Sequence, residues 1–363
     1  MKQLRRTRAG MGTVLMLAGA LAGIATSSRA DAAAGDAPGP SFGPSLGPSM
    51  PGRIEASALA VIVNEADPLS VATGEYYQRR RGIPDRNVIR VSFDKDAATM
   101  TVAQFSTLKA EVDAKTPQEV QGFALTWVRP YRVDCMSVTT AFAAGYDPQF
   151  CSNGCQATRF SAYFDSDSRL PYRDLRLRPA MSIAALGIEQ ARALIDRGVA
   201  SDASRPRGTA YLVTTEDQAR NVRSAGYADA RLLAGARIRI DTIGEPVQGR
   251  SDVMFYFIGA SAVSKLASNR FLPGAVADHL TSFGGDLLGG GQMSSLRWLE
   301  AGATGSYGAV AEPCNYTAKF PNVGLMMKHY LGGETLLEAY WKSVAMPGQG
   351  LFVGEPLARP FGE

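Results

Sequence analysis

A thiol and an imidazole are the side chains here whose pairing would supply a nucleophile and its base. His279 follows the apolar run Gly274-Ala-Val-Ala277, and Cys314 follows the run Ala309-Val-Ala311. A cysteine reacts as its thiolate and needs a base nearby, and histidine titrates close enough to neutrality to serve. On that reading His279 and Cys314 are the catalytic residues of a cysteine hydrolase. His279 also reads as a structural imidazole bonded to a loop carbonyl, and Cys314 as half of a disulfide. Adjacent strand residues face opposite ways, so Asp278 is not expected to orient His279 directly.

Polar side chains gather around the same two run ends, where open α/β sheets place their ligand sites. Asp278, Ser282, Gln292, Arg297, Ser306, Glu312 and Asn315 are the candidate ligand contacts. Arg297 could clamp an anionic group with Trp298 beside it, or ride on a helix whose Met293, Leu296 and Leu299 face the core. Ser306 stands in Gly-Ser-Tyr-Gly, but a nucleophile elbow needs glycine two residues earlier, where Thr304 stands. Gly302, Gly305 and Gly308 lack the Gly-Lys-Ser/Thr of a phosphate loop, and no dinucleotide fingerprint follows the first strand. No cofactor is therefore expected. No metal is expected either, since His279 and His329 are the only histidines and the cysteine spacing is not that of a zinc finger.

The elements that must position these residues begin after a leader. Lys2, Arg5, Arg6 and Arg8 precede the mostly apolar Met11–Ile24, and Ala30-Asp31-Ala32 suits cleavage, so residues 1–32 read as a signal peptide. Periplasmic or secreted localisation follows, by the general or the twin-arginine route, with no membrane span left after cleavage. Residues 33–54 read as a flexible Gly/Pro/Ser-rich linker. The net charge of +4 is that of the leader, which leaves the remaining chain near neutral, so nucleic acid is not an expected partner. Cys135, Cys151, Cys155 and Cys314 all lie in the exported part, where an even count suggests disulfides. Cys151 with Cys155 could close a local loop, leaving Cys135 with Cys314.

Residues 55–363 read as a single α/β domain. Ala58–Val63, Asn87–Phe93 and Val120–Val128 are expected strands, with helices from Ser70 through Arg80 and over Val102–Val112. Strand, helix, strand at this spacing is a βαβ unit with parallel strands. An irregular insertion at about 131–178 carries three of the cysteines and could form a wall of the site. Ser182–Arg197 and Asp217–Leu233 then read as helices, Arg207–Thr215 as a strand and Ala236–Ile243 as a half-exposed edge strand. Apolar runs at Val253–Ile258, Gly274–Ala277 and Ala309–Ala311 follow, with a helix over Ser294–Ala301 and a turn over Gly302–Gly308. Helices over Val323–Tyr330 and Thr335–Val344 and a short strand from Leu351 close the chain. The expected architecture is a three-layer α/β/α sandwich around a mostly parallel sheet, with a disulfide-held insertion.

Long motifs resemble a family of exported bacterial proteins without assigned activity: Ala60–Asn64, Arg178–Met181, Asp252–Tyr256, Phe271–Gly285, Gln292–Cys314 and Glu338–Val344. A more distant resemblance is to caspase-like cysteine peptidases of the gingipain type, carried by the Gly274–Ala277 strand and by a His and a Cys after successive strands. It implies a caspase-like sheet. It also places that family's His-Gly pair near Ile258-Gly259-Ala260 and its cysteine directly after Ala277, where this chain has no histidine and Asp278-His279 respectively. The expected function is binding of a peptide, glycan or small ligand in a cleft lined by His279, Arg297 and Glu312, without peptidase activity. The alternative is a divergent cysteine hydrolase using His279 and Cys314, with loop amides near Gly284 or Gly305 facing the scissile carbonyl.

Overall fold

The computed structural model describes residues 53–152 and 154–363; the expected signal peptide and nearly all of the linker lie outside them. The strands are β1 Leu59–Asn64, β2 Val88–Val91, β3 Thr99–Met100, β4 Gly122–Leu125, β5 Arg132–Val133, β6 Met136–Ser137 and β7 Ala180–Ser182. They continue with β8 Thr209–Val213, β9 Arg239–Ile243, β10 Val253–Gly259, β11 Phe271–Leu280, β12 Gly305–Ala309 and β13 Gly350–Gly354. The helices are α1 Pro68–Arg81, α2 Val102–Lys115, α3 Val138–Ala144, α4 Pro171–Leu175, α5 Ile188–Ser201, α6 Tyr227–Ala234, α7 Leu296–Glu300, α8 Val323–Leu331 and α9 Leu336–Ser343.

Ten strands form one sheet in the order β2-β1-β4-β7-β13-β12-β11-β10-β8-β9, and a smaller sheet joins β3, β5 and β6. In the large sheet every pairing is parallel except β12 with β13. Four strands from the first part of the chain thus join six from the second across β7 and β13. Helices cover both faces, which is why β1, β4, β8 and β10 are buried along their whole length and read as unbroken apolar runs. This is the three-layer sandwich expected from the sequence.

Local signals fix the helix ends. Asp67 caps α1 by accepting from the Leu69 amide, Pro68 opens the helix, and Gly82 closes it in the left-handed region at φ 64°. Thr101 with Gln104 and Thr335 with Glu338 form reciprocal capping boxes on α2 and α9.

Several expectations need correction. Ser182 is the end of a strand, and the amphipathic helix starts only at Ile188. The short apolar stretch Ala180–Ala185 had merged with the helical stripe after it. The helix expected at Asp217–Leu233 is a 3-10 turn over Asn221–Gly226 followed by α6. Gly302–Gly308 is not simply a turn, because Gly305–Ala309 is β12. Its glycines answer to close packing: a Cβ on Gly308 would sit 2.2 Å from the Gly284 carbonyl carbon. Finally, β11 runs through Asp278 and His279 to Leu280, so these residues lie within a strand and not beyond it.

The insertion is more ordered than expected, holding β5, β6, α3 and α4. Its disulfides pair Cys135 with Cys151 and Cys155 with Cys314. The tight Cys151–Cys155 loop and the Cys135–Cys314 bridge are therefore not the pairing. The chain after Cys151 runs toward the ends of β12 and α9, where the Ser161 amide donates to the Ala345 carbonyl, and that path brings Cys155 to Cys314.

Candidate functional site

Because β8, β10, β11 and β12 are mutually parallel, their carboxyl ends share one rim. The expected dyad does not form there. Cys314 is bonded to Cys155 with a Cα separation of 5.4 Å, and no cysteine among the described residues is free. A sulfur held in a disulfide is not a thiolate nucleophile. The alternative hydrolase built on His279 and Cys314 is thereby overturned.

His279 sits in the core beneath α7. The Trp298 indole donates to its Nδ1 at 2.9 Å, and indole nitrogen can only donate. That fixes the proton on Nε2, which donates to the Met293 carbonyl at 2.9 Å. Both ring nitrogens are occupied, so the imidazole matches the structural reading. Burial, opposed by the Met293 carbonyl, lowers its pKa from 6.5 to about 4.

This shift carries a prediction. Between pH 6.5 and 4 the unfolded chain binds a proton that folded His279 refuses, so stability falls as the pH drops through that window. The loss from this residue alone is about 3 kcal/mol. Urea unfolding at pH 7 and pH 4 should show a smaller decrease in His279→Gln than in the wild type. Equal decreases would remove His279 as the cause.

Asp278 points to the opposite face of β11 from His279. There it meets Arg223, whose Nη1 donates to Asp278 Oδ1 at 2.5 Å and whose Nη2 donates to the Ile258 carbonyl at 3.2 Å. The guanidinium also lies 5.2 Å from the centroid of Phe257. Both partners are almost wholly buried, at 6% and 1% exposure. Burial works against the Arg223 charge, but the Asp278 carboxylate outweighs it and raises the arginine pKa. Asp278 is thus the anchor of a buried ion pair.

Arg223 in turn lines a cavity of about 410 Å3 with Phe164, Gly226, Thr317, Phe320 and Asn322. That volume falls within the usual range for small-ligand sites. The cavity lies between the segment following β8 and the segment following β12, at the carboxyl end of the sheet. Beside it, Arg220 Nε donates to Thr281 Oγ1 at 3.2 Å, and Thr281 Oγ1 donates to Gln292 Oε1 at 2.6 Å. Gln292 Oε1 also accepts from the Phe283 amide at 2.9 Å, while Arg220 Nη1 pairs with Asp217 at 2.8 Å. Gly259 ends β10 directly under this arginine, since a Cβ there would lie 2.0 Å from the Arg220 carbonyl oxygen.

The other expected contacts scatter. Ser282 is half-buried just past the end of β11, and Ser306 is buried within β12. Glu312 is exposed and uses Oε1 to accept from the Cys314 amide at 2.7 Å, which makes it a turn cap; Asn315 is exposed beside it. Arg297 is exposed on α7 and pairs with Glu300 at 2.5 Å. A cleft lined jointly by His279, Arg297 and Glu312 does not form, because His279 is inside the core and Arg297 is engaged on its own helix. Arg220 and Arg223 escaped the sequence reading. Their only signal was two arginines one helical turn apart just after a buried strand, which does not reveal that one turns inward. Among the described residues no group of three or more His, Cys, Asp or Glu could hold a metal.

No family model and no curated protein matches the chain. Among solved structures, the complex of the Porphyromonas gingivalis RgpB pro- and mature domains is similar at 9% identity and a TM-score of 0.45, covering 84% of this chain and 80% of that one. A second, described as the structure of a protease, is similar at 10% identity and a TM-score of 0.43, covering 84% and 78%. These are likenesses of fold.

Proposed function

We propose that this is an exported protein that binds a peptide, glycan or small ligand at the carboxyl rim of its sheet, without cysteine-peptidase chemistry. The observation that carries the proposal is the cavity beside Arg223, formed where the sheet has a polar rim but no thiol–imidazole pair. Thr317 and Asn322 offer hydrogen bonds at its mouth, while Phe164 and Phe320 offer apolar surface, a mixture suited to a small amphipathic group. Two disulfides support the oxidising compartment that the leader implies. Among the described residues no helix is long and apolar enough to cross a membrane.

Gly226 provides a clean test. A Cβ there meets nothing within 4 Å, and its φ of −88° suits any residue, so Gly226→Trp should fill the cavity without straining the backbone. Mature wild-type protein and the variant would be applied to immobilised peptide and glycan arrays, and both would be incubated with fluorescent casein. Binding by the wild type that drops at least ~10-fold in Gly226→Trp, with casein intact, is the expected outcome. Iodoacetamide-sensitive cleavage of casein, or array binding indifferent to the tryptophan, would sink the proposal.

A further inference from the structure

The opposite rim of the sheet carries a second, differently charged feature. Arg207 stands two residues before β8, Arg239 opens β9, Arg250 stands three residues before β10 and Arg270 immediately precedes β11. These four strands are parallel neighbours, so their amino ends and the attached arginines lie along one edge. In the linear sequence the same residues are dispersed and leave no visible basic run.

Part of that edge is concave. Arg205, Arg207, Arg237 and Arg239 line a cleft of about 620 Å3 whose far wall is Leu331 and Phe361. All four arginines are exposed. Only Arg239 has a carboxylate partner among the described residues, with Nη2 3.0 Å from Asp241. Arg237 is held in place through Nε and Nη2, which donate to the carbonyls of Ala234 and Leu233 at 3.1 and 2.8 Å. Arg205 is fixed by its amide, which donates to the Pro360 carbonyl at 2.9 Å. Asp252, the one acid lining the cleft, already accepts from Thr209 Oγ1 at 2.7 Å and Tyr211 OH at 2.8 Å. Positive charge therefore exceeds negative charge in a partly enclosed space, with several guanidinium edges free.

Guanidinium groups match the tetrahedral oxyanions of phosphate and sulfate, which they can grip with paired N–H donors. We propose that the arginine-lined cleft at the amino ends of β8 and β9 binds a polyvalent oxyanion, a phosphate or sulfate cluster borne by a soluble molecule or a lipid headgroup. The site is distinct from the cavity beside Arg223, at the other end of the same strands. Its occupancy does not depend on the ligand proposed there.

Inorganic tripolyphosphate is the probe for the soluble arm, titrated calorimetrically into the mature protein at low ionic strength. Saturable binding that weakens as sodium chloride is added is expected. Arg205→Ala/Arg207→Ala should weaken it at least ~10-fold, because each lost guanidinium removes a charge-assisted hydrogen bond. Arg173→Ala/Arg192→Ala lowers net charge by the same amount on other surfaces and should bind like the wild type. Co-sedimentation with phosphatidylglycerol vesicles separates the sources: binding to tripolyphosphate alone assigns a soluble ligand, and vesicle binding lost in the Arg205/Arg207 variant assigns a headgroup. The inference is overturned if neither probe binds, or if the two double variants lose affinity equally. Because every substituted side chain is exposed, circular dichroism should show all variants folded.

Discussion

Arg81→Met is expected to lower the free energy of unfolding by about 3–5 kcal/mol, the usual penalty for stripping the partner from a buried charge. Glu355 is fully buried, and Arg81 is its counter-ion: Nε donates to Oε1 at 2.9 Å and Nη2 to Oε2 at 2.5 Å. Arg81 also engages Asp202, so one guanidinium ties the end of α1 to the end of α5 and to the segment after β13. Glu355 packs so closely on α5 that a Cβ at Gly198 would lie 2.4 Å from Oε2, leaving the carboxylate no route to water. Methionine keeps much of the apolar stem and removes the charge together with its N–H donors. Arg80→Met is the comparison, since its pair with Asp196 is about half-exposed on both sides and should contribute under about 1 kcal/mol. Urea unfolding of both variants distinguishes the cases. A loss under about 1 kcal/mol for Arg81→Met would overturn Arg81 as the partner on which this buried carboxylate depends.

What was legible in the sequence follows from what each element must bury. β1, β4, β8 and β10 are covered on both faces, so their burial is written as continuous apolar residues. α1 and α2 carry their stop and start signals locally, in Gly82 and in Thr101 with Gln104. β7 and β12 were obscure for opposite reasons. The first is only three residues long, and the second contains two glycines required by close packing rather than by turn geometry, Gly308 against the Gly284–Gly285 backbone and Gly305 against the Leu336 and Tyr340 side chains. The rim itself was legible, because strand ends are visible as the ends of apolar runs. Its side-chain roles were not, since a charged residue inside a strand, such as Asp278, can be partnered only by a residue the fold brings from elsewhere. Arg223 is 55 positions away, and nothing in its local sequence separates it from the exposed arginines around it. The disulfide pairing has the same origin: sequence proximity favoured Cys151 with Cys155, and the route of the insertion past β12 decided otherwise.

Arg223→Met should be comparably damaging, at about 3–5 kcal/mol, because Asp278 would remain in the core without its cation. The informative variant is the double one. Arg223→Met/Asp278→Leu removes both charges and replaces them with apolar volume, a change that commonly restores or even improves stability in buried pairs. Recovery of most of the loss, read from urea midpoints, is the expected result. It would show that the pair does not hold the fold together by net attraction, since desolvating two ions offsets what their contact contributes. If the pair is dispensable for stability, Arg223 needs another reason to line a 410 Å3 cavity. On the proposed function that reason is recognition: Asp278 fixes the Arg223 guanidinium against Phe257 and so holds the wall of the cavity in place. The folded double variant should then lose array binding as Gly226→Trp does. Retained binding would confine Arg223 and Asp278 to the core and leave recognition to Thr317, Asn322 and the aromatic walls.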